Sequence, residues 1–398
     1  MILSRHVTPK LLSLSKQFPV VILSGPRQSG KTTLAKVVFP KYEYVSLENL
    51  DQREFARNDP RGFLERYAKP TIIDEAQKAP DLLSYLQTEV DERPVPGRYI
   101  LTGSQQFPLI AKASQSLAGR AGYLQLLPFS IAELTSLKPL DPYRFDAADL
   151  RKKPKGLKLN SILFQGLYPR IYSQNLDPHD FLAAYTTAYL ERDVREVLRV
   201  GDLSTFQKFI QLCAGRTGQI LNFSNLAQDC GISHTTARHW LSVLQASSIV
   251  YLLEPYHKNF TKRIIKSPKL YFLDTGLACY LLRIRKESEL DGHPLYGSIF
   301  ETLIVSEMVK SFARLGDKPP LYFWRDQTGH EIDLVVDLAV QFIAIEIKSS
   351  KTISEQAFQD LQYVNQLKGA KAKQLLVYGG EDSTLRNNIR IKPWWQVS

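Results

Sequence analysis

Cysteine is scarce in this sequence of 398 residues. The three thiols, Cys213, Cys230 and Cys279, lie far apart and form neither a CxxC pair nor a Cys/His cluster of metal-ligand spacing. That argues against structural zinc and fits a reducing, cytoplasmic compartment. No apolar run approaches the roughly 20 residues a membrane span requires, so bilayer insertion is not expected. Phe18–Leu23 is apolar like a signal-peptide core, but it is too short and runs straight into a glycine loop, so it reads as a buried strand. Internal repeats and low-complexity segments are missing. Acidic residues are in deficit, 40 against 51 Lys and Arg, for a net charge of +11. This surplus calls for a polyanionic partner, nucleic acid first and an anionic membrane surface second, unless the protein is simply soluble and basic.

What is present is globular in composition, 44% hydrophobic and 23% charged, and long enough for two to four domains. From residue 18 to about 134, short apolar runs at Val20–Ser24, Tyr44–Leu47, Thr71–Asp74 and Arg98–Thr102 alternate with helical stretches, the habit of a parallel sheet covered by helices. We expect a first domain over residues 1–140, then a proline-rich, basic linker or helical connector over 141–177. Residues 178–285 read as helical with a helix-turn-helix at Phe223–Ile249. Gly231 takes its turn, Ser233 caps the second helix, and Ala237, Trp240, Leu241 and Leu244 form the buried stripe. Strands at Ile249–Leu253 and Leu270–Leu273, separated by the basic loop His257–Lys269, complete a winged-helix pattern. A mixed α/β unit follows over 286–398.

Gly25-Pro26-Arg27-Gln28-Ser29-Gly30-Lys31-Thr32 fits GxxxxGK[ST] between a strand and a helix, with Thr33 next in the helix. Its glycines let the backbone curl so that amides of Gln28, Ser29 and Gly30 face phosphates. Lys31 would then reach the β- and γ-phosphates of ATP, and the Thr32 hydroxyl would ligate Mg²⁺. The apolar strand ending in Asp74-Glu75 supplies a Mg²⁺ partner and a base that polarises the attacking water. The extra strand near Tyr44–Leu47, between loop and carboxylates, implies an ASCE-type P-loop NTPase sheet, in which another strand lies between those carrying the two motifs. Leu101-Thr102-Gly103-Ser104-Gln105 ends a further strand, which makes Ser104 or Gln105 a sensor for the γ-phosphate or else a plain strand-ending turn.

Two more constellations carry chemistry. In the helix-turn-helix, His234, Thr235, Arg238 and His239 fall opposite the buried stripe, where a DNA major groove would be met. Lys258, Lys262, Arg263 and Lys266 would hold phosphates from the wing. The same element can also serve as an ATPase lid or a protein contact. In the last unit, Glu301 on a helix, Asp333 in one strand, and Glu346 with Lys348 on one face of another would gather one or two Mg²⁺ ions, Asp333 and Glu346 binding directly. Solvated strand ends are the plainer reading.

The stretches GPRQSGKTTL, IIDEAQ, LTGSQQF, SLAGRAGYLQLLPFS, YLERDVR (Tyr189–Arg195), LNFSNLAQDCGISHTTARHWLSVL and SPKLYFLDTGL (Ser267–Leu277) resemble those of prokaryotic AAA+-related ATPases of the AAA_14 type whose C-terminal part is DUF4143. The likeness covers nearly the whole chain. It implies an α/β architecture of three parts: an AAA+-like P-loop ATPase domain, a helical winged-helix domain, and a mixed α/β domain resembling PD-(D/E)xK restriction endonucleases. The acidic helix residue Glu301, Asp333 and the Glu346-x-Lys348 pair match that superfamily's set. The resemblance also makes Arg120 an arginine finger or sensor, acting in cis or, in a ring of like subunits, in trans; a surface ion pair is the alternative. The expected function is Mg²⁺-dependent ATP hydrolysis coupled to DNA, with the terminal domain either cleaving or gripping it. The rival is an ATP-driven switch or scaffold with a non-catalytic terminal domain, and a third reading is a regulator that reads DNA sequence.

Overall fold

The computed structural model describes residues 3–103, 117–149, 151–188, 203–256, 267–326, 329–339, 341–359, 361–362 and 372–398. Five strands, β1 (Val20–Ser24), β2 (Glu43–Ser46), β3 (Thr71–Asp74), β4 (Tyr99–Gly103) and β5 (Ala121–Gln125), form a parallel sheet ordered β2-β3-β4-β1-β5. The strand separating the loop-bearing β1 from the carboxylate-bearing β3 is therefore β4, and β2 lies at the edge. β1 reads as unbroken apolar sequence because both of its faces are covered. Val20 and Ile22 join Ile73 and Leu101 on one side, and Val21 and Leu23 join Ile72, Ile100 and Leu124 on the other.

Residues 141–177 form a helical connector that packs into the fold. The helices Leu159–Gln165 and Pro169–Ser173 lie here, and Phe145, Leu157, Ile162, Leu163 and Leu167 enter one core with Ile299, Phe300 and Leu303 far downstream. The lysines that suggest a linker are exposed or half-buried, while Pro142 and the apolar residues spaced between them are buried.

The expected boundary at 285/286 also runs through a continuous sheet. Nine strands are ordered β13-β14-β12-β11-β10-β9-β7-β8-β6. They are β6 (Gln219–Ile220), β7 (Val250–Pro255), β8 (Lys269–Phe272), β9 (Leu321–Arg325), β10 (Glu331–Asp337), β11 (Phe342–Lys348), β12 (Ala372–Tyr378), β13 (Thr384–Arg386) and β14 (Ile389–Pro393). The antiparallel pair β7 and β8 follows the helices Phe223–Cys230 and His234–Ala246, and β7 then pairs in parallel with β9 through Glu254 and Pro255. The helix Tyr296–Ala313 crosses behind this sheet with almost every side chain buried, as expected of a helix apolar all round. A 3₁₀ turn at Glu355–Phe358 opens the stretch 354–367 that the sequence suggests as a helix, part of which falls outside the described residues.

One junction illustrates how tightly the 141–177 segment is set. Gly166 has φ +67° and ψ −161°, a region open only to glycine. A Cβ there would stand 2.2 Å from Asp274 Oδ1. Asp274 is buried, caps the helix Thr275–Leu281 by accepting from Leu277 N at 3.0 Å, and accepts from Leu167 N at 2.6 Å. Gly166→Ala is expected to cost more than about 2 kcal/mol in urea unfolding, combining backbone strain with a displaced cap. Gly156→Ala is the comparison, since φ is +76° but nothing lies within 4 Å of the added Cβ. Equal losses in the two variants would dismiss the role given to Asp274.

Candidate active site

The loop Gly25–Thr32 joins β1 to the helix Lys31–Val38, with Gly25 at φ +146°, Gln28 at +60° and Gly30 at +92°. Those left-handed turns bend the backbone around a concavity at a helix N-terminus, where amide donors and the helix dipole favour an anion. Gly25 is obligatory for a second reason, because a Cβ would meet Leu126 O at 2.1 Å. The Lys31 ammonium lies inside the loop, donating to Gly25 O at 2.9 Å and Pro26 O at 2.8 Å. Ser29 Oγ is buried without a hydrogen-bond partner among the described residues, and a phosphate oxygen would satisfy it. Arg27 and Gln28 are half-buried at the mouth, and Thr33 is exposed.

Across the strand gap, Asp74 Oδ1 accepts the Thr32 hydroxyl at 2.9 Å, so loop and carboxylate sit side by side as their pairing around a cation requires. Asp74 Oδ1 also accepts the Thr102 hydroxyl from β4, and Oδ2 accepts the Tyr44 hydroxyl at 3.0 Å. Burial, then the nearby Asp74, push the Tyr44 phenol up to about 12, so it stays a donor. Glu75 takes φ +55°, a strained setting for a non-glycine residue, and accepts a hydrogen bond from Gln77.

Sequence reasoning missed Thr102 and Tyr44. Thr102 carries a faint signal as a polar residue in a wholly buried strand. Two arginines were missed as well. The buried Arg5 donates to Ser29 O beneath the loop at 2.7 Å, and Arg170 reaches Gln28 Oε1 at 3.4 Å. Ser104 and Gln105 lie outside the described residues.

Arg120 does not serve its own chain's nucleotide. It precedes β5, in which Ala121 pairs with Val20 and Gln125 with Ser24, so it stands at the opposite end of the strands from the loop, about 13 Å along β1 at ~3.3 Å per residue. There it pairs with Asp91, Nη2 to Oδ2 at 2.7 Å. A role in cis is ruled out by that position.

In the nine-stranded sheet the expected residues converge, around a centre the sequence did not suggest. Lys269, at the start of β8, is buried, and its ammonium lies 3.0 Å from Glu301, 2.6 Å from Glu331 and 3.9 Å from Asp333. Burial opposes its charge, and the three carboxylates overcome that opposition. Tyr271 donates to Glu301, and Asp333 Oδ2 accepts from Ile347 N at 2.8 Å. Asp333 sits where the β9–β10 register slips by one residue, and such a bulge re-aims a side chain. Glu346 is buried and paired with Lys348. Among the described residues no group of three or more His, Cys, Asp or Glu has the spacing to hold a metal ion. The cation among these carboxylates is an ammonium.

In the helix-turn-helix, Gly231 turns at φ +76° and Ser233 caps the second helix by accepting from Thr236 N at 3.0 Å. His234, Thr235, Arg238 and His239 are all exposed on one side, with Ala237, Trp240, Leu241 and Leu244 buried on the other. Lys258, Lys262, Arg263 and Lys266 fall outside the described residues.

The lysine-centred cluster makes stability depend on pH. Burial first, and Asp333 second, raise Glu301 from 4.5 to about 7, with Lys269 offsetting part of the rise. The folded carboxyl therefore holds its proton above the pH at which the unfolded one releases it, and the stability it contributes fades as pH climbs from 4.5 to about 7. Lys269→Met removes the offsetting charge. It is expected to cost about 3–5 kcal/mol at pH 8 and distinctly less at pH 5, where protons can neutralise the carboxylates. Urea unfolding at the two pH values measures this, and equal losses would mean that Lys269 acts through packing alone.

Comparison with known proteins agrees with the geometry of the loop. A family model of an AAA domain (AAA_14) matches residues 17–135, one of a domain of unknown function (DUF8612) matches 156–288, and one of another domain of unknown function (DUF4143) matches 296–397. Uncharacterized protein Rv2008c of Mycobacterium tuberculosis and Uncharacterized protein Mb2031c of Mycobacterium bovis are each 32% identical over 386 residues, covering 95% of this chain and 80% of the relative. Among solved structures, the Walker-type ATPase PABY2304 of Pyrococcus abyssi aligns over 71% of this chain and 96% of its own, at 16% identity and a TM-score of 0.45. The Thermotoga maritima RuvB Holliday junction branch migration motor aligns over 63% and 89%, at 17% identity and a TM-score of 0.32. With the phosphate-cradling loop, the Asp74-Glu75 pair and the five-strand order all inside the matched AAA segment, the chain belongs to the AAA_14/DUF4143 family of P-loop ATPases.

Proposed function

We propose that Mg²⁺-dependent ATP turnover in this protein is coupled to holding duplex DNA, and that the terminal domain grips rather than cuts. The observation that carries the DNA half is the exposed row His234, Thr235, Arg238 and His239 on the second helix of a helix-turn-helix, in a chain of net charge +11. A helix of this kind meets base edges in the major groove, and the remaining positive charge adds affinity that weakens with salt. The strands β7 and β8 behind it take the place of a wing.

At the loop, Lys31 binds the β- and γ-phosphates while curled amides from Gln28 to Gly30 hold their oxygens. The hard oxygens of Thr32 and Asp74, 2.9 Å apart, would hold Mg²⁺, which would supply positive charge against the phosphates. Thr102 and Tyr44 keep the Asp74 carboxylate in one orientation. Glu75 accepts a proton from the attacking water.

Gripping is favoured over cutting by Lys269. Phosphodiester hydrolysis on such a sheet edge needs a cation that ligates and activates water, and an ammonium already neutralising Glu301, Glu331 and Asp333 cannot do so.

Steady-state ATP turnover with and without duplex DNA tests the coupling. DNA is expected to raise the rate, Lys31→Ala to abolish it, and Glu75→Gln to bind ATP without turning it over. Arg238→Ala should keep the basal rate and lose the stimulation. A rate indifferent to DNA at every salt concentration would sink the coupling. No nicking of supercoiled plasmid is expected in Mg²⁺ or Mn²⁺, and nicking that vanishes in Asp333→Ala would turn the grip into a nuclease.

A further inference from the structure

We infer that Arg5 is a positioning residue for ATP hydrolysis, fixing the direction of a P-loop amide, and that the terminal domain holds Arg5 to this task through Glu133 and the Glu307–Lys310 pair. Arg5 precedes the first helix and belongs to no recognisable motif. It is 9% exposed and lies under the loop. Nη1 donates to Ser29 O at 2.7 Å, Nη2 to Leu127 O at 2.6 Å, and Nε pairs with Glu133 Oε1 at 3.1 Å, with the guanidinium 4.9 Å from the Phe129 ring centre. All three edges of a planar fork are used, which a lysine could not reproduce.

The consequence follows from peptide geometry. In a trans peptide the carbonyl and the next N–H point in opposite directions. Pulling Ser29 O down onto Arg5 therefore aims Gly30 N–H up, away from the protein floor, toward the side where the loop receives phosphates. Gly30, at φ +92°, has no side chain to hold that orientation by itself. A charge-assisted bond from a buried guanidinium does so before nucleotide arrives, and preorganised donors of this kind serve both binding and the transferring group.

Arg5 is itself held from outside the ATPase domain. Glu133 Oε1 accepts also from His6 N at 2.7 Å, and its Oε2 accepts from Ser130 N at 3.0 Å. The short helix Ile131–Leu134 that carries Glu133 is secured at its first amide, where Ile131 N donates to Glu307 Oε2 at 2.8 Å. Glu307 is fully buried on the terminal domain's central helix and pairs with Lys310 at 2.9 Å, and Lys310 donates to Phe129 O at 3.0 Å. Buried, charge-assisted bonds joined by the short helix Ile131–Leu134 thus run from the helix Tyr296–Ala313 to the carbonyl of Ser29 in the loop.

The test uses the full chain and reads KM for ATP, kcat and urea unfolding together. Arg5→Lys, which keeps the charge but not the fork, is expected to raise KM about tenfold, as the loss of one charge-assisted hydrogen bond would, and to lower kcat. Glu133→Gln, which leaves Arg5 in place without its counter-charge, should move KM in the same direction by less. Glu307→Gln should raise KM in the native background and add nothing in the Arg5→Lys background. An unchanged KM in folded Arg5→Lys would overturn the positioning role, whatever the loss of stability. Should Arg5→Lys fail to fold, an unchanged KM in Glu133→Gln would do the same. Independent, additive increases from Arg5 and Glu307 would overturn the link to the terminal domain.

Discussion

The carbonyl of Leu126 presses against Gly25 where β5 leaves the sheet, so closely that no side chain fits between them, and Leu126 N is bonded to Ser24 O at 2.8 Å. That crossing of two backbones sets where the P-loop begins, and it makes the segment after β5 the floor of the nucleotide site. The same segment is a wall of the terminal domain. Leu127, Phe129 and Ile131 belong to one core with Ile299, Phe300, Leu303, Leu334 and Ile345. At about 1.5–3 kcal/mol for each large apolar side chain buried, this shared core is what keeps the two units together. The polar bonds across it are weaker, and they fix direction.

Buried charge is concentrated on the helix Tyr296–Ala313 in two places. Toward its N-terminal half Glu301 faces Lys269, and one and a half turns later Glu307 pairs with Lys310. Neither arrangement is the cheapest way to fill a core, since well-packed apolar residues of similar volume are often as stable or more so. Their physical distinction is directional: an ion pair tolerates one register, whereas leucines tolerate several. The helix is thereby held at a fixed height between a strand of the helix-turn-helix region and a loop of the ATPase. Its apolar surface would otherwise let it slide, because every face is hydrophobic and none marks a preferred contact.

What the sequence discloses follows the range of the interactions involved. The P-loop is legible because its parts are contiguous, and glycine, lysine and threonine at those spacings have few other uses. Asp74 and Glu75 are legible for the same reason, as charges ending an apolar strand. The central position of β4 is not, because strand order is decided by crossovers that leave no local trace. Arg120 stands out in sequence yet lies at the far end of the strands from the loop, and Arg5 stands out in nothing, since the bonds that define it reach to residues 29, 127 and 133. Lys269 is the sharpest case. In sequence it is only the end of the basic loop that starts at His257, and the parallel pairing of β7 with β9, some 70 residues apart, brings its strand into the sheet that carries Glu331 and Asp333.

That inward lysine decides how the terminal sheet should be understood. Glu301, Glu331, Asp333 and Glu346 are met by Lys269, Lys348 and Arg325, which pairs with Glu331 at 3.3 Å, so the carboxylates are largely neutralised by the chain's own cations. The remaining imbalance is taken up by protons, as the raised positions of Glu301 and Asp333 indicate, both of them driven first by burial. A divalent ion entering this arrangement would leave surplus positive charge in a dry interior, where unpaired charge is costly. An ammonium differs from a metal in being permanent: it cannot be chelated or diluted away, and it offers no open coordination position for water.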